Sequence, residues 1–156
     1  KKAYETCREY ASRLNPFVTD GILLWGPVGT GKTHLAIGVL KAAFRRGLIG
    51  VHIKVPDLLE EIRRGYDNGV YTLEERVKNT FLVVLDDLGA EKVTDWVREK
   101  LYSIIGYRYE NQKPTIITTN YSPAELTERI GERITDRLRE MCIVVKVEGK
   151  SWRARG

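Results

Sequence analysis

Two kinds of apolar pattern alternate along this chain. Short continuous apolar runs such as Ile22-Leu23-Leu24-Trp25 alternate with longer stretches in which apolar residues recur every three or four positions. A short run bounded by turn residues fits a strand buried on both faces, and the longer spacing fits one face of a helix. The pattern predicts a first helix over Lys2 to Leu14, stopped before Asn15-Pro16 because proline drives the preceding residue out of helical geometry. Strand Gly21 to Trp25, helix Lys32 to Arg46 and strand Val51 to Val55 follow. Pro56-Asp57 opens a helix through about Tyr66, which Asp67-Asn68-Gly69 breaks. Thr72 to Asn79 is a short helix with Thr72 and Glu75 at capping-box spacing.

The run Phe81 to Leu85 is the most hydrophobic and β-branched of the chain, and it ends in Asp86-Asp87. It predicts a central parallel strand. Thr94 to Tyr109 has amphipathic helical spacing, Thr115 to Thr119 is a further strand, and Ser122 caps a helix with Pro123 at its first position. That helix extends over Glu125 to Glu140, and Ile143 to Val147 forms the last strand. The expected fold is therefore α/β: a five-stranded parallel sheet with helices on both faces and its ligand at the carboxyl ends of the strands.

Composition narrows this only modestly. With 156 residues, 42% of them apolar and 30% charged, the chain suits one globular domain over 1–156, and no repeat or low-complexity tract divides it. No apolar run approaches the ~20 residues that span a bilayer, and the first residues carry no signal-peptide core. The expectation is a cytoplasmic protein with no membrane partner. The chain starts without Met inside a predicted helix, as a domain excised from a longer protein would. Cys7 and Cys142 lack the companions of a zinc site or disulfide framework and are expected to be reduced thiols. A formal charge of +5 suits a polyanion partner without specifying one.

The chemistry concentrates in Gly26-Pro27-Val28-Gly29-Thr30-Gly31-Lys32-Thr33, a complete P-loop set between strand and helix. Its glycines let successive backbone N–H groups curl around phosphates, and the helix N-terminus behind them adds positive dipole. Lys32 is expected to reach the β- and γ-phosphates, Thr33 to offer its hydroxyl to Mg²⁺, and His34 to close the nucleotide-contacting run. The imidazoles of His34 and His52 are otherwise assigned structural roles. Asp86, leaving the central strand, is the expected second Mg²⁺ ligand, and Asp87 the group that polarises the attacking water. Asn120 follows a strand at a position suited to sensing the γ-phosphate. The base of ATP or ADP is sought around Tyr10 to Phe17.

Arg129, Arg133 and Arg137 recur every fourth residue on one helical face, where like charges repel by about 0.2–0.5 kcal/mol per pair. Two compensations stay open. Glu132, Asp136 and Glu140 form an adjacent acidic stripe; alternatively, an arginine reaches a neighbouring subunit's ATP as an arginine finger.

Taken together, these residues resemble the AAA+ ATPases of the bacterial helicase-loader type, DnaC and DnaI, and the related transposition ATPase IstB. The resemblance rests on Gly26 to Thr33, on Phe81 to Gly89, on Thr118-Thr119-Asn120 as sensor 1, and on Gly131-Glu132-Arg133-Ile134-Thr135-Asp136-Arg137-Leu138-Arg139-Glu140-Met141 as the arginine-finger box. It implies that Arg137 is the finger and Arg133 its companion, that Arg153 in Ser151-Trp152-Arg153 acts as sensor 2, and that the usual C-terminal helical lid is absent. Where many AAA+ proteins carry Glu, this chain has Asp87, which implies slow, assembly-dependent hydrolysis. The family's helical insertion would fall at Pro56 to Asn79 and touch single-stranded DNA. Arg63, Arg64 and Tyr66 fit that chemistry, since a guanidinium holds a phosphate while an aromatic ring stacks on a base.

The expected function is a helicase loader that binds Mg²⁺-ATP and single-stranded DNA, self-assembles through the trans arginine finger, and delivers the replicative DNA helicase, held mostly by a region N-terminal to this domain. An IstB-type transposition ATPase acting on duplex DNA and a nucleotide-gated DNA-binding scaffold with little hydrolysis are the alternatives. A small-metabolite kinase is disfavoured by the arginine box.

Overall fold

The computed structural model describes residues 2–65 and 72–149. Its strands are β1 (Gly21–Trp25), β2 (Gly50–Lys54), β3 (Leu82–Asp86), β4 (Thr115–Thr119) and β5 (Cys142–Lys146). Its helices are α1 (Lys2–Ser12), α2 (Lys32–Arg45), α3 (Val55–Arg64), α4 (Leu73–Asn79), α5 (Asp95–Glu110), α6 (Pro123–Ile130) and α7 (Glu132–Met141). The strands form one all-parallel sheet in the order β2-β3-β4-β1-β5. None of the described helices is long and apolar enough to cross a membrane.

The two-residue pleat decides how the sheet is covered. Ile22, Leu24, Leu82, Val84 and Ile116 pack into one core with Cys7 and Tyr10 of α1 and Ala36, Val39 and Leu40 of α2. Leu23, Val83, Leu85 and Ile117, one residue out of phase, pack into the other core with residues of α3 through α7. Each large aliphatic side chain buried this way contributes about 1.5–3 kcal/mol. Strands covered on both faces need continuous apolar runs, which is why they stood out in the sequence. Cys7 and Cys142 are buried free thiols, and burial pushes their pKa values up to about 11 and about 12.

Helix caps follow the sequence closely. Thr72 and Thr94 accept from the N–H groups of Glu75 and Val97, and Ser122 and Glu125 form a full capping box with Pro123 at the first position. The expected helix over Glu125 to Glu140 is the exception. It is broken at Gly131, whose φ of 99° and ψ of 156° end α6 and begin α7. That backbone region is open almost solely to glycine, so Gly131→Ala is expected to cost about 1–3 kcal/mol. Urea unfolding measures it; a midpoint equal to wild type would contradict the assignment.

A feature that no local pattern announced lies at the amino ends of β3 and β4. Arg108 of α5 is completely buried, with no carboxylate partner among the described residues. Its Nε donates to Thr115 Oγ1 at 2.8 Å, Nη1 to the carbonyls of Val77 and Thr80 at 2.9 and 2.7 Å, and Nη2 to those of Phe81 and Pro114 at 2.8 and 2.9 Å. The Val77 and Lys78 carbonyls end α4, where a cation also opposes the helix dipole. Burial pushes the Arg108 pKa down to about 9, which leaves it charged at neutral pH.

Candidate functional site

The glycine-rich loop joins β1 to α2 at the carboxyl end of the sheet, where parallel α/β folds place their ligands. Gly31 turns the chain with φ 91°, in the left-handed region, and α2 begins with no side chain bonded across its first turn. Its amide groups are thus left for another acceptor. Lys32 is only 6% exposed, and its Nζ donates to the carbonyls of Gly26 and Pro27 at 2.8 Å each. Thr30 Oγ1 donates to the same Pro27 carbonyl at 2.9 Å. Burial lowers the Lys32 pKa, and the charges of Asp87 and Asp86 oppose that shift.

Asp86 ends β3 with no exposed surface, yet it is ringed by donors. Thr33 Oγ1 lies 2.9 Å from its Oδ1, Thr118 of β4 also donates to Oδ1, and His52 Nε2 of β2 lies 3.0 Å from Oδ2. Burial alone would raise this carboxyl's pKa; the hydrogen bonds from Thr118, His52 and Thr33 outweigh it and hold the group below the ordinary range. An ionised carboxylate only accepts, so the His52 contact assigns a proton to Nε2. His52 is therefore part of the site and not the purely structural residue expected. Its signal was the sheet register: His52 faces Val84, one pleat before Lys54 faces Asp86, so both share the carboxylate's side of the sheet. That register requires knowing that β2 pairs with β3.

Thr118 does a second thing. Its hydroxyl accepts the Asp87 N–H at 2.9 Å while donating to Asp86, so one side chain holds both carboxylate-bearing residues. Asp87 sits at φ 61°, in the left-handed region. Asp87 and the exposed Asn120 line a cleft of about 520 Å³ with Val28, Gly29, Gly31, Lys32, Thr33 and His34. The size is that of a small-molecule site. Lys54 and Ala90 complete the wall, and neither had been expected there.

The Thr33 hydroxyl and the Asp86 carboxylate converge as hard oxygen donors, the kind Mg²⁺ takes together with substrate phosphates. No group of three or more His, Cys, Asp or Glu among the described residues offers a competing metal site. Tyr10, at one end of the stretch searched for base contacts, is fully buried with its hydroxyl donating to the Asp20 carbonyl at 2.6 Å, so it belongs to the core; Phe17 is 88% exposed.

The arginines divide sharply. Arg129, separated from the others by the break at Gly131, donates to the carbonyls of Gly89 and Glu91 at 3.0 and 3.1 Å. Of the two compensations left open, the acidic stripe is not the one seen: Asp136 meets Arg139 at 3.4 Å, and Glu140 accepts from the Tyr109 hydroxyl. Arg133 and Arg137 lie instead over the rings of Tyr102 and Tyr109, at 4.1 and 4.8 Å from their centroids. At the end of α3, Arg63 donates to Glu60 and Glu91 and lies 4.9 Å from the Trp96 ring centroid, and Arg64 donates to Glu60 at 3.1 Å. Tyr66 and Arg153 fall outside the described residues. A further cleft, of about 400 Å³ between Asp20, Tyr109 and Glu140, opens at the amino ends of the strands and holds no residue of the P-loop or of Asp86-Asp87, only Glu140 and Met141 from the end of the arginine box.

A family profile described as "IstB-like ATP binding protein" matches residues 16–156. The ATP-binding protein of insertion sequence IS5376 from Geobacillus stearothermophilus is 35% identical over 143 residues, covering 87% of this chain and 56% of that protein. A crystal structure of the DnaC helicase loader superposes with a TM-score of 0.84 at 36% identity, covering 94% of this chain and 89% of that one. The replication initiator DnaA bound to AMPPCP and single-stranded DNA superposes with a TM-score of 0.78 at 25% identity, covering 96% of this chain and 46% of that one. The five-stranded parallel sheet is thus that of the AAA+ P-loop domains. The chain spans about half the length of the curated relatives it matches.

Proposed function

Because the chain belongs to the family of IstB-like ATP-binding proteins, we propose that it is the ATPase domain of a replicative helicase loader, assembling on single-stranded DNA. The observation that carries this reading is the superposition on the DnaC loader, which extends over nearly the whole of both chains. The likeness to DnaA supports the nucleotide and single-strand parts. In this reading the helicase is held mainly by residues N-terminal to this domain.

The chain's own groups divide the work. The Gly29 to Thr33 backbone cradles the phosphates, Lys32 leaves the Gly26 and Pro27 carbonyls for phosphate oxygens, and Thr33 with Asp86 would hold Mg²⁺. Bound there, Mg²⁺ would neutralise charge on the β- and γ-phosphate oxygens. Asp87 orients and polarises the attacking water, and Asn120 across the cleft senses the γ-phosphate. His52 and Thr118 hold Asp86 ionised and aimed at Thr33. Arg137, with Arg133 beside it, enters the ATP site of a neighbouring copy, while Arg153 acts as sensor 2. Arg63, Arg64 and Tyr66 meet the DNA, Arg63 by exchanging exposed carboxylate contacts for phosphate.

The likeness to the IS5376 protein favours a second reading, a transposition ATPase acting on duplex DNA. One experiment separates the two: phosphate release by the full-length protein with no DNA, with single-stranded DNA and with duplex, at concentrations that permit assembly, in wild type and Arg137→Ala. The loader reading expects single strands, but not duplex, to change turnover, and Arg137→Ala to lower it by about 10³-fold or more. A response confined to duplex would replace loader by transposition ATPase, and an unaffected Arg137→Ala would overturn the shared ATP site.

A further inference from the structure

Arg133 and Arg137 stand one turn apart on α7, and two of the three carboxylates of the adjacent acidic stripe are engaged elsewhere, Asp136 by Arg139 and Glu140 by Tyr109. No ion pair or carbonyl engages either guanidinium among the described residues, whereas Arg129 and Arg139 both spend donors on such partners; the one polar group they approach is the Tyr102 hydroxyl, whose pKa is lowered by hydrogen bonding and charge from Arg133 and, less, from Arg137. What holds them is two tyrosines seven residues, or about two turns, apart on α5.

A guanidinium is a flat ion whose N–H groups point outward in its own plane. Held by a carboxylate, it loses those donors to the carboxylate. Held over an aromatic ring, it engages its face, and the in-plane donors stay available for a bidentate contact with phosphate. Stacking therefore fixes such a group while leaving its chemistry unspent. Glu140, by accepting from the Tyr109 hydroxyl, fixes that ring in turn.

We propose that Tyr102 and Tyr109 are positioning residues, an aromatic rack that presents Arg133 and Arg137 from α7 with donors unspent on any carboxylate or carbonyl and left for the phosphates of a nucleotide bound to a neighbouring copy. This rests on the shared ATP site proposed above and deepens it. Arg129 also lies over a ring, that of Tyr121 at 4.5 Å, but its Nε and Nη2 are spent on carbonyls, so ring contact without a carbonyl or carboxylate partner among the described residues is what singles out Arg133 and Arg137. Neither tyrosine touches the phosphates.

The test is phosphate release by the full-length protein, titrated in protein concentration, for wild type, Arg137→Ala, Tyr109→Leu, Tyr102→Leu and Tyr109→Phe. ATP affinity and melting temperature are measured alongside. Loss of the rack is expected to lower kcat of the assembled protein by about 10- to 100-fold, as misplacing a catalytic group does, with KM, ATP affinity and melting temperature unchanged. Tyr109→Phe keeps the ring and restores turnover to within about 2-fold of wild type. Wild-type turnover in both leucine variants, with Arg137→Ala impaired, would overturn the rack and leave the shared site standing. An unimpaired Arg137→Ala would overturn the shared site and the rack's purpose with it. If Tyr109→Phe fails as badly as Tyr109→Leu, the hydroxyl matters and not the ring, and the stacking account falls. A leucine variant that loses turnover only in step with its melting temperature would reduce the tyrosines to packing, which also overturns the proposal.

Discussion

Lys32→Ala is expected to eliminate measurable ATP binding or turnover, a loss of at least about 10²- to 10³-fold of the kind that removing one preorganised charged donor produces. The side chain is buried against its own loop, with Nζ 2.8 Å from two backbone carbonyls, and among the described residues the only other lysine or arginine that lines the cleft is Lys54. The same bonds mean that the alanine variant also loses a brace of the loop, so titration with a fluorescent ATP analogue should be read beside a melting curve. A variant that binds ATP as wild type does would contradict the whole assignment of the cleft.

Arg108→Met should have the largest effect on stability, about 3–5 kcal/mol, comparable to removing one member of a buried charged network. Methionine fills most of the volume, so the cost arises mainly from five carbonyl groups and one hydroxyl that lose their donor, those of Val77, Pro114 and Thr115 in buried contacts. For a domain of this size that corresponds to a melting temperature lower by roughly 6–20 °C. A drop of less than about 1 kcal/mol would show that the carbonyls find other partners. Catalysis is not the target: Arg108 sits at the amino ends of β3 and β4, and Asp86 at the carboxyl end.

What could be read in the sequence follows from how local each signal is. The buried strands were visible because a sheet covered twice needs continuous apolar runs, and β1 and β4 fall on the expected residues, Gly21–Trp25 and Thr115–Thr119. The P-loop, Asp86 and the Thr72 and Ser122 caps were visible because each is a short-range pattern, whereas Thr94, read as the first helical residue, is the cap of α5. Gly131 was misread: helical spacing continues across it, and only its positive φ reveals two helices. His52 and Arg108 were missed, and Thr118 was named only within the sensor 1 motif and not as the holder of Asp86, for a different cause. Their partners lie 34, 32 and up to 31 residues away, so their roles exist only once the strand order is known. The arginine pair shows both limits, since its spacing marked it in the sequence but the tyrosines that hold it belong to another helix.

The strand order has one more consequence. Thr33 follows β1 and Asp86 ends β3, with β4 lying between those strands, so their hydrogen bond spans 53 residues and crosses an entire intervening strand. During synthesis the glycine-rich loop, α2, β3 and Asp86 all emerge before β4 does, yet β1 and β3 have no contact edge in common until β4 inserts. A nascent chain can therefore carry every residue of the phosphate motif and still be unable to grip ATP. Competence arrives in a single late step, and the nucleotide, by binding only the completed arrangement, stabilises the finished sheet against its own partial forms.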